Sequence, residues 1–216
     1  MDTKIIATGI VLAAAGVASA DIVQLEFIGA GEGLPMTYSF DGGDETRSYA
    51  GSIIHEIDGV ESVTYCIEPR QGAQRGIANF EAVPLGDAFE PGSIGLVLAE
   101  LAEIAGDSIW TTSVSQVDAA AFQIAIWEVV SDYNADAGIA SLDLTSGAFA
   151  SSGTATGVAR ANELLSALTF DLSDASGYTA YLNDEHQDFM GRTIPTPGAL
   201  ALALTGAPLL ARRRRG

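Results

Sequence analysis

The chain has 216 residues, 28 of them acidic against ten basic, and a formal net charge of −18. Residues 21–194 alone hold 27 acids against five arginines (Arg47, Arg70, Arg75, Arg160 and Arg192), a net of −22. Such a surface repels phosphate backbones and anionic bilayers, so it argues against nucleic acid as a partner and leaves the membrane reachable only through a terminal segment.

Residues 1–20 read MDTKIIATGIVLAAAGVASA. Lys4 gives a basic start, Ile5 to Val17 is mostly apolar, and Ala18-Ser19-Ala20 is a small-residue cleavage site. This order predicts an export signal with Ala18 and Ala20 as its recognition residues. A buried N-terminal helix is the alternative, and both the Ala-x-Ala ending and the switch to DIVQLEF at Asp21 weigh against it.

Residues 21–194 are expected to form one domain, large enough for a real core. Its first third is β-like. DIVQLEFIG alternates polar and apolar residues, and MTYSF and RSYAGSIIHEI look similar across the turn-rich DGGDE at 41–45. That acidic loop lacks regular calcium-loop spacing, so no metal site is assigned. SVTYCIEP is a further β-rich run, ended by Pro69, and it carries Cys66.

From Pro91 the pattern turns helical. SIGLVLAELAEIAG sets Leu96, Leu98, Leu101 and Ile104 on or near one face and closes on Gly106. SVSQVDAAAFQIAIWEVVSDYN follows, with Ser115 or Asp118 as its cap and Asn134 near its end. Its interior is apolar all round, which predicts burial on several sides. ATGVARANELLSAL is a third helix. GIASLDLTSGAFASSG reads as loop with one strand at most, and DASGYTAYLNDEHQDFM adds a last strand. The expected class is α+β: a β-sheet or sandwich region with an inserted small helical subdomain.

The C-terminus reads IPTPGALALALTGAPLLARRRRG. Pro195 and Pro197 break any preceding element. Gly198 to Ala211 is an apolar run of 14 residues, against the roughly 20 that span a bilayer comfortably. Arg212, Arg213, Arg214 and Arg215 form a basic stop that favours the cytoplasmic side. The tail, residues 195–216, resembles the PEP-CTERM sorting signal of Gram-negative bacteria, with Pro195-Thr196-Pro197 in place of Pro-Glu-Pro. That resemblance implies an exosortase as partner, transient anchoring, and display at the cell surface or in the extracellular matrix. A plain membrane anchor is the alternative; both readings put residues 21–194 outside the cytoplasm.

Two residues are odd in such a chain. Cys66 is the only cysteine, so it has no internal disulfide partner. Gln123 lies within AAFQIAIWEVV, where an unpartnered carboxamide would cost roughly 1–3 kcal/mol to bury. One chemistry uses both. A thiol can displace ammonia from a glutamine carboxamide and leave an internal thioester, provided the two backbones are held close and water is kept out. Tyr65 and Ile67 flank the thiol; Phe122, Ile124, Ala125, Ile126 and Trp127 frame the amide, with Trp127 one helical turn on.

Tyr65-Cys66-Ile67 and Phe122-Gln123-Ile124-Ala125-Ile126-Trp127 resemble the paired motifs of bacterial surface thioester domains. The resemblance covers about residues 50–170. It implies a sheet with a helical subdomain, Cys66 as thiol donor, Gln123 as acyl donor, no cofactor, and a single covalent reaction with an amine or hydroxyl of a surface protein or polysaccharide. Such a protein is an adhesin and not an enzyme. The sequence departs from the family in its Gram-negative tail and in its spacing, 57 residues from Cys66 to Gln123, which leaves room for only a small insert.

The competing account makes Cys66 a small buried hydrophobe and has Gln123 bond a neighbouring carbonyl. The chain would then be a non-reactive structural or carbohydrate-binding protein of an exopolysaccharide matrix. Residues 21–194 contain no lysine, which spares a stored electrophile from attack by its own side chains. His55 and His186 are candidate bases. Glu68 and Glu128 are candidate hydrogen-bond partners of the site. A secreted hydrolase finds no support in spacing or in a G-x-S-x-G motif.

Overall fold

A computed structural model describes residues 21–73, 75–90, 93–153, 155–171 and 173–194. The export signal (Ala18, Ala20) and the sorting tail (Pro195, Thr196, Pro197 and the four arginines) lie outside these residues.

The chain opens on β1 (Asp21–Phe40), β2 (Thr46–Ile57), β3 (Val60–Cys66) and β4 (Ile77–Pro84). A helical insert comes next: α1 (Ser93–Ala105), α2 (Gln116–Asp132), the short β5 (Phe149–Ser151) and α3 (Ala155–Ser166). β6 (Tyr178–Leu182) and β7 (Phe189–Arg192) complete the sheet. The class is α+β. Among the described residues no helix is long and apolar enough to cross a membrane.

All the strand pairings are antiparallel, and they close on themselves in the order β1–β2–β3–β7–β6–β4–β1. The sheet region is therefore a six-stranded ring. Alternate residues fill its interior, where Phe189 packs against His55 and Phe80 with ring centroids 4.6 and 5.9 Å away. The opposite face of β3 presents Tyr65 to the helices.

β1 closes the ring. Its first residues pair with β4, the stretch from Leu25 to Tyr38 pairs with β2, and its end pairs with β5. The sequence pattern predicts two strands here, DIVQLEFIG and MTYSF, with Gly31, Gly33 and Pro35 between them. Register shifts at Phe27/Gly29 and Ala30/Gly33 instead let one long strand bend without ending. Gly33 sits where β1 and β2 come very close: a Cβ there would lie 2.2 Å from the Ala50 carbonyl oxygen.

Other differences are local. β4 lies between Pro69 and Pro91, where the sequence pattern assigns no element, and the pair β6/β7 stands where one last strand is predicted. β2 and β3 turn through Asp58-Gly59, both with positive φ (48° and 84°), as a two-residue hairpin of opposite turn hand requires. Ser115 is the N-cap of α2, its side chain accepting from the Asp118 main-chain N–H. The C-cap is Tyr133, one residue before the expected Asn134.

Every residue of α2 from Ala119 to Val129 is buried. The helix lies between the ring and the other two helices, which explains its apolar pattern on all sides. Gly33→Ala should push β1 and β2 apart and cost about 2 kcal/mol or more, read as a lower denaturant midpoint with unchanged slope. An unchanged midpoint would show that the seam tolerates a side chain.

Candidate functional site

Cys66 is the last residue of β3. On one side β3 pairs with β7, with Cys66 opposite Phe189. On the other side the pairing with β2 stops at Ile53–Thr64, because β2 there continues along β1. The main-chain N–H and C=O of Cys66 are thus left without a strand partner, and buried backbone groups need partners.

Gln123 fills that gap. Its Oε1 accepts from the Cys66 N–H at 2.9 Å and its Nε2 donates to the Cys66 carbonyl at 2.8 Å. The carboxamide thereby acts as a one-residue strand. Trp127, one helical turn further along α2, donates its indole Nε1–H to the Cys66 Sγ at 3.3 Å. The three predicted residues Cys66, Gln123 and Trp127 form one hydrogen-bonded cluster with relative exposures of 2%, 1% and 5%.

The neighbouring motif residues frame it. Tyr65 packs edge-on against Phe122 at 4.7 Å and donates its hydroxyl to the Ile109 carbonyl. Ile67 is buried and its N–H bonds the Asp188 carbonyl. Ala125 and Ile126 are fully buried in the helix packing. Trp127 is itself covered by Tyr38 and Phe149, whose ring centroids lie 5.6 and 6.1 Å away.

Burial pushes the Cys66 thiol up to about 12, against the lowering effect of the Trp127 and Glu68 hydrogen bonds. The thiol is therefore neutral at physiological pH. Glu68 and Asp188 act on it as nearby negative charges. One carboxylate oxygen of Glu68, Oε2, is buried without a hydrogen-bond partner.

A cavity of about 380 Å³ reaches the cluster. Of the α2 motif it touches only Gln123 and Trp127. Tyr38, Arg47, Tyr49 and Gln187 also line it, from β1, β2 and the β6–β7 turn. The sequence does not mark these four as site residues; strand patterning makes Tyr38 and Tyr49 half-exposed but gives no sign of a shared cavity.

The histidines do not join this site. His55 lies inside the ring, its Nδ1 bonded to Thr64 Oγ1 at 2.8 Å, and burial lowers its pKa to about 4, so it is neutral. His186 is half-buried in the β6–β7 turn. Neither lines the cavity. The acidic loop at 41–45 directs its side chains elsewhere, Asp41 to Arg70 and Glu45 to Ser152. Among the described residues no cluster of three His, Cys, Asp or Glu is placed to hold a metal.

Glu128 points away from the thiol. It is fully buried, one oxygen accepts from the Asp143 N–H, and the other has no partner. Four residues on, Asp132 accepts from the N–H groups of Ala148 and Phe149 at 2.6 and 2.8 Å. These two carboxylates hold the segment that places Phe149 against Trp127.

No protein-family model matches this chain, and no curated protein or solved structure matches it.

Burial raises Glu128 to about 8, with Asp132 and Asp143 adding to the effect. A carboxyl whose folded pKa exceeds its unfolded value contributes stability below the unfolded pKa and loses it as pH rises through the folded one. The protein should therefore lose stability between about pH 4.5 and pH 8, by at most roughly 5 kcal/mol from this group alone. Glu128→Gln should flatten that part of the profile, measured as denaturant midpoints at pH 5 and pH 9. An equal alkaline loss in the variant would rule out Glu128 as its source.

Proposed function

We propose that this is an exported surface or matrix protein in which Cys66 and Gln123 form an internal thioester that acylates a nucleophile on a partner. The observation that carries the reading is the double hydrogen bond between the Gln123 carboxamide and the Cys66 main chain, with Trp127 donating to the sulfur. Those contacts hold the acyl carbon, one bond from Oε1, beside the residue that bears the thiol.

Formation needs no cofactor. Sγ attacks Cδ of Gln123, the C–N bond breaks, and the amide nitrogen leaves as ammonia with the thiol proton. Negative charge builds on Oε1 during the attack, and the Cys66 N–H already points at that oxygen. The thiol starts neutral, so its proton passes to the departing nitrogen within the dry site. The product carries no charge, which suits a buried position. Transfer then reverses the logic: a nucleophile attacks Cδ, the C–S bond breaks, and Cys66 is released as a thiol. The reaction occurs once, so the protein is not a turnover catalyst.

Export and surface display rest on residues 1–20 and 195–216, whose patterns support an export signal and an exosortase-read tail. A second reading has its own observation: Gln123 also satisfies the main-chain groups that β2 leaves open, and that role needs no reaction. A non-reactive matrix protein would use it so.

Intact mass separates the two. The loaded protein should weigh one ammonia less than its sequence, and Cys66→Ala or Gln123→Ala should abolish the deficit. Methylamine should add at Gln123 and release one titratable thiol. Full mass with a thiol that titrates only on unfolding would favour the non-reactive reading.

Trp127→Phe keeps the apolar cover but removes the Nε1–H donor to sulfur. It should leave the fold intact and lower the loading equilibrium by about fivefold if the lost bond contributes roughly 1 kcal/mol to the loaded form. Loading equal to wild type would reduce Trp127 to packing alone.

A further inference from the structure

The proposed thioester leaves open which nucleophile it meets, amine or hydroxyl. The lining of the cavity above Cys66 and Gln123 bears on that choice. The chain around it carries a large excess of carboxylates, yet among the described residues no Asp or Glu lines this cavity. Its charged lining residue is Arg47, which is exposed and makes no ion pair among the described residues. Glu68 and Asp188 act on the thiol but neither lines the cavity. Glu45, beside Thr46 of the lining, is turned to Ser152.

A lysine side chain would enter this space as an ammonium, since its pKa is about 10.4. It would meet Arg47 on the cavity wall, with Glu68 and Asp188 near the thiol but outside the lining, and it would have to lose a proton before attacking. A sugar meets a better match. Tyr38 offers aromatic surface to the apolar face of a ring, while the side-chain amide oxygens of Gln71 and Gln187, whose NH2 groups already bond Glu68 and main-chain carbonyls, and the hydroxyl of Ser48 offer hydrogen bonds to its hydroxyls. Arg47 is also suited to a uronate carboxylate.

We infer, on the thioester reading, that the acceptor is a hydroxyl of a carbohydrate, neutral or acidic, and not a protein amine. In the transfer step the sugar oxygen bonds Cδ of Gln123 as the C–S bond breaks. The hydroxyl proton goes to the departing Cys66 sulfur, which takes it readily because burial raises the thiol's pKa. An ester and a free thiol result, with atoms and charge balanced.

The test is a competition on the full domain after its mass deficit and methylamine uptake have been verified. Loaded protein is incubated with a glucan oligomer, a uronate oligomer and an acetylated lysine amide at equal concentration, and adducts are counted by intact mass. The expected result is a sugar adduct, at Gln123, that hydroxylamine releases as an ester. Arg47→Glu should shift the ratio of lysine to sugar adduct by about tenfold toward lysine, as reversing the charge on the cavity wall implies. A lysine adduct that dominates in wild type overturns the inference and leaves the thioester standing. So does loaded protein that reacts with methylamine and with neither sugar. Protein with no mass deficit removes the thioester reading itself, and the carbohydrate acceptor with it.

Discussion

The arrangement of this protein depends on one carboxamide. Where β2 turns away to follow β1, the end of β3 would be left with a buried N–H and C=O and nothing to bond them. Leaving two such groups unpaired would cost several kcal/mol. Gln123 supplies both partners from a helix, so the ring and the helical insert are joined at that point by paired hydrogen bonds as well as by apolar packing. That requirement fixes the rotation and height of α2 against β3. Once they are fixed, Trp127 must come down over the sulfur and Phe122 against Tyr65.

The cover over the sulfur is built in layers that reach far along the chain. Trp127 touches Cys66; Tyr38 and Phe149 touch Trp127; Asp132 fixes the main chain of Phe149, and Glu128 fixes Asp143 ahead of it. Both carboxylates bond backbone N–H groups, and among the described residues neither pairs with a cation. A protein with so many acids thus uses several as internal hydrogen-bond acceptors. Glu100 does the same on α1, holding the N–H groups of Thr169 and Phe170.

The three helices are legible in the sequence because their apolar spacing is long and their limits are marked, by Gly106 after α1 and by the Ser115 cap before α2. The pairing of Cys66 with Gln123 is suggested by two residues that fit their surroundings badly, a lone thiol and an amide in a greasy helix. Strands are harder. Gly31, Gly33 and Pro35 inside β1 look like a break, but bulges absorb it. β4 has only Phe80 fully buried, so its alternation is faint. Asp58-Gly59 is a hairpin sign, hidden in the sequence by the continuous β-rich run on both sides of it. The cavity lining leaves no trace in the pattern, since Tyr38, Arg47 and Gln187 come together only through ring closure. Glu128 is expected beside the thiol on adjacency alone, yet a residue next to Trp127 on a helix faces about 100° away from it.

A covalent link between Cys66 and Gln123 would staple strand to helix across 57 residues of intervening chain. On loop-entropy grounds such a staple stabilises by about 4 kcal/mol, as a disulfide of that span would. Transfer of the acyl group to a partner would cut it. The unreacted molecule would then be the sturdier one, and acyl transfer would leave the insert looser on the ring.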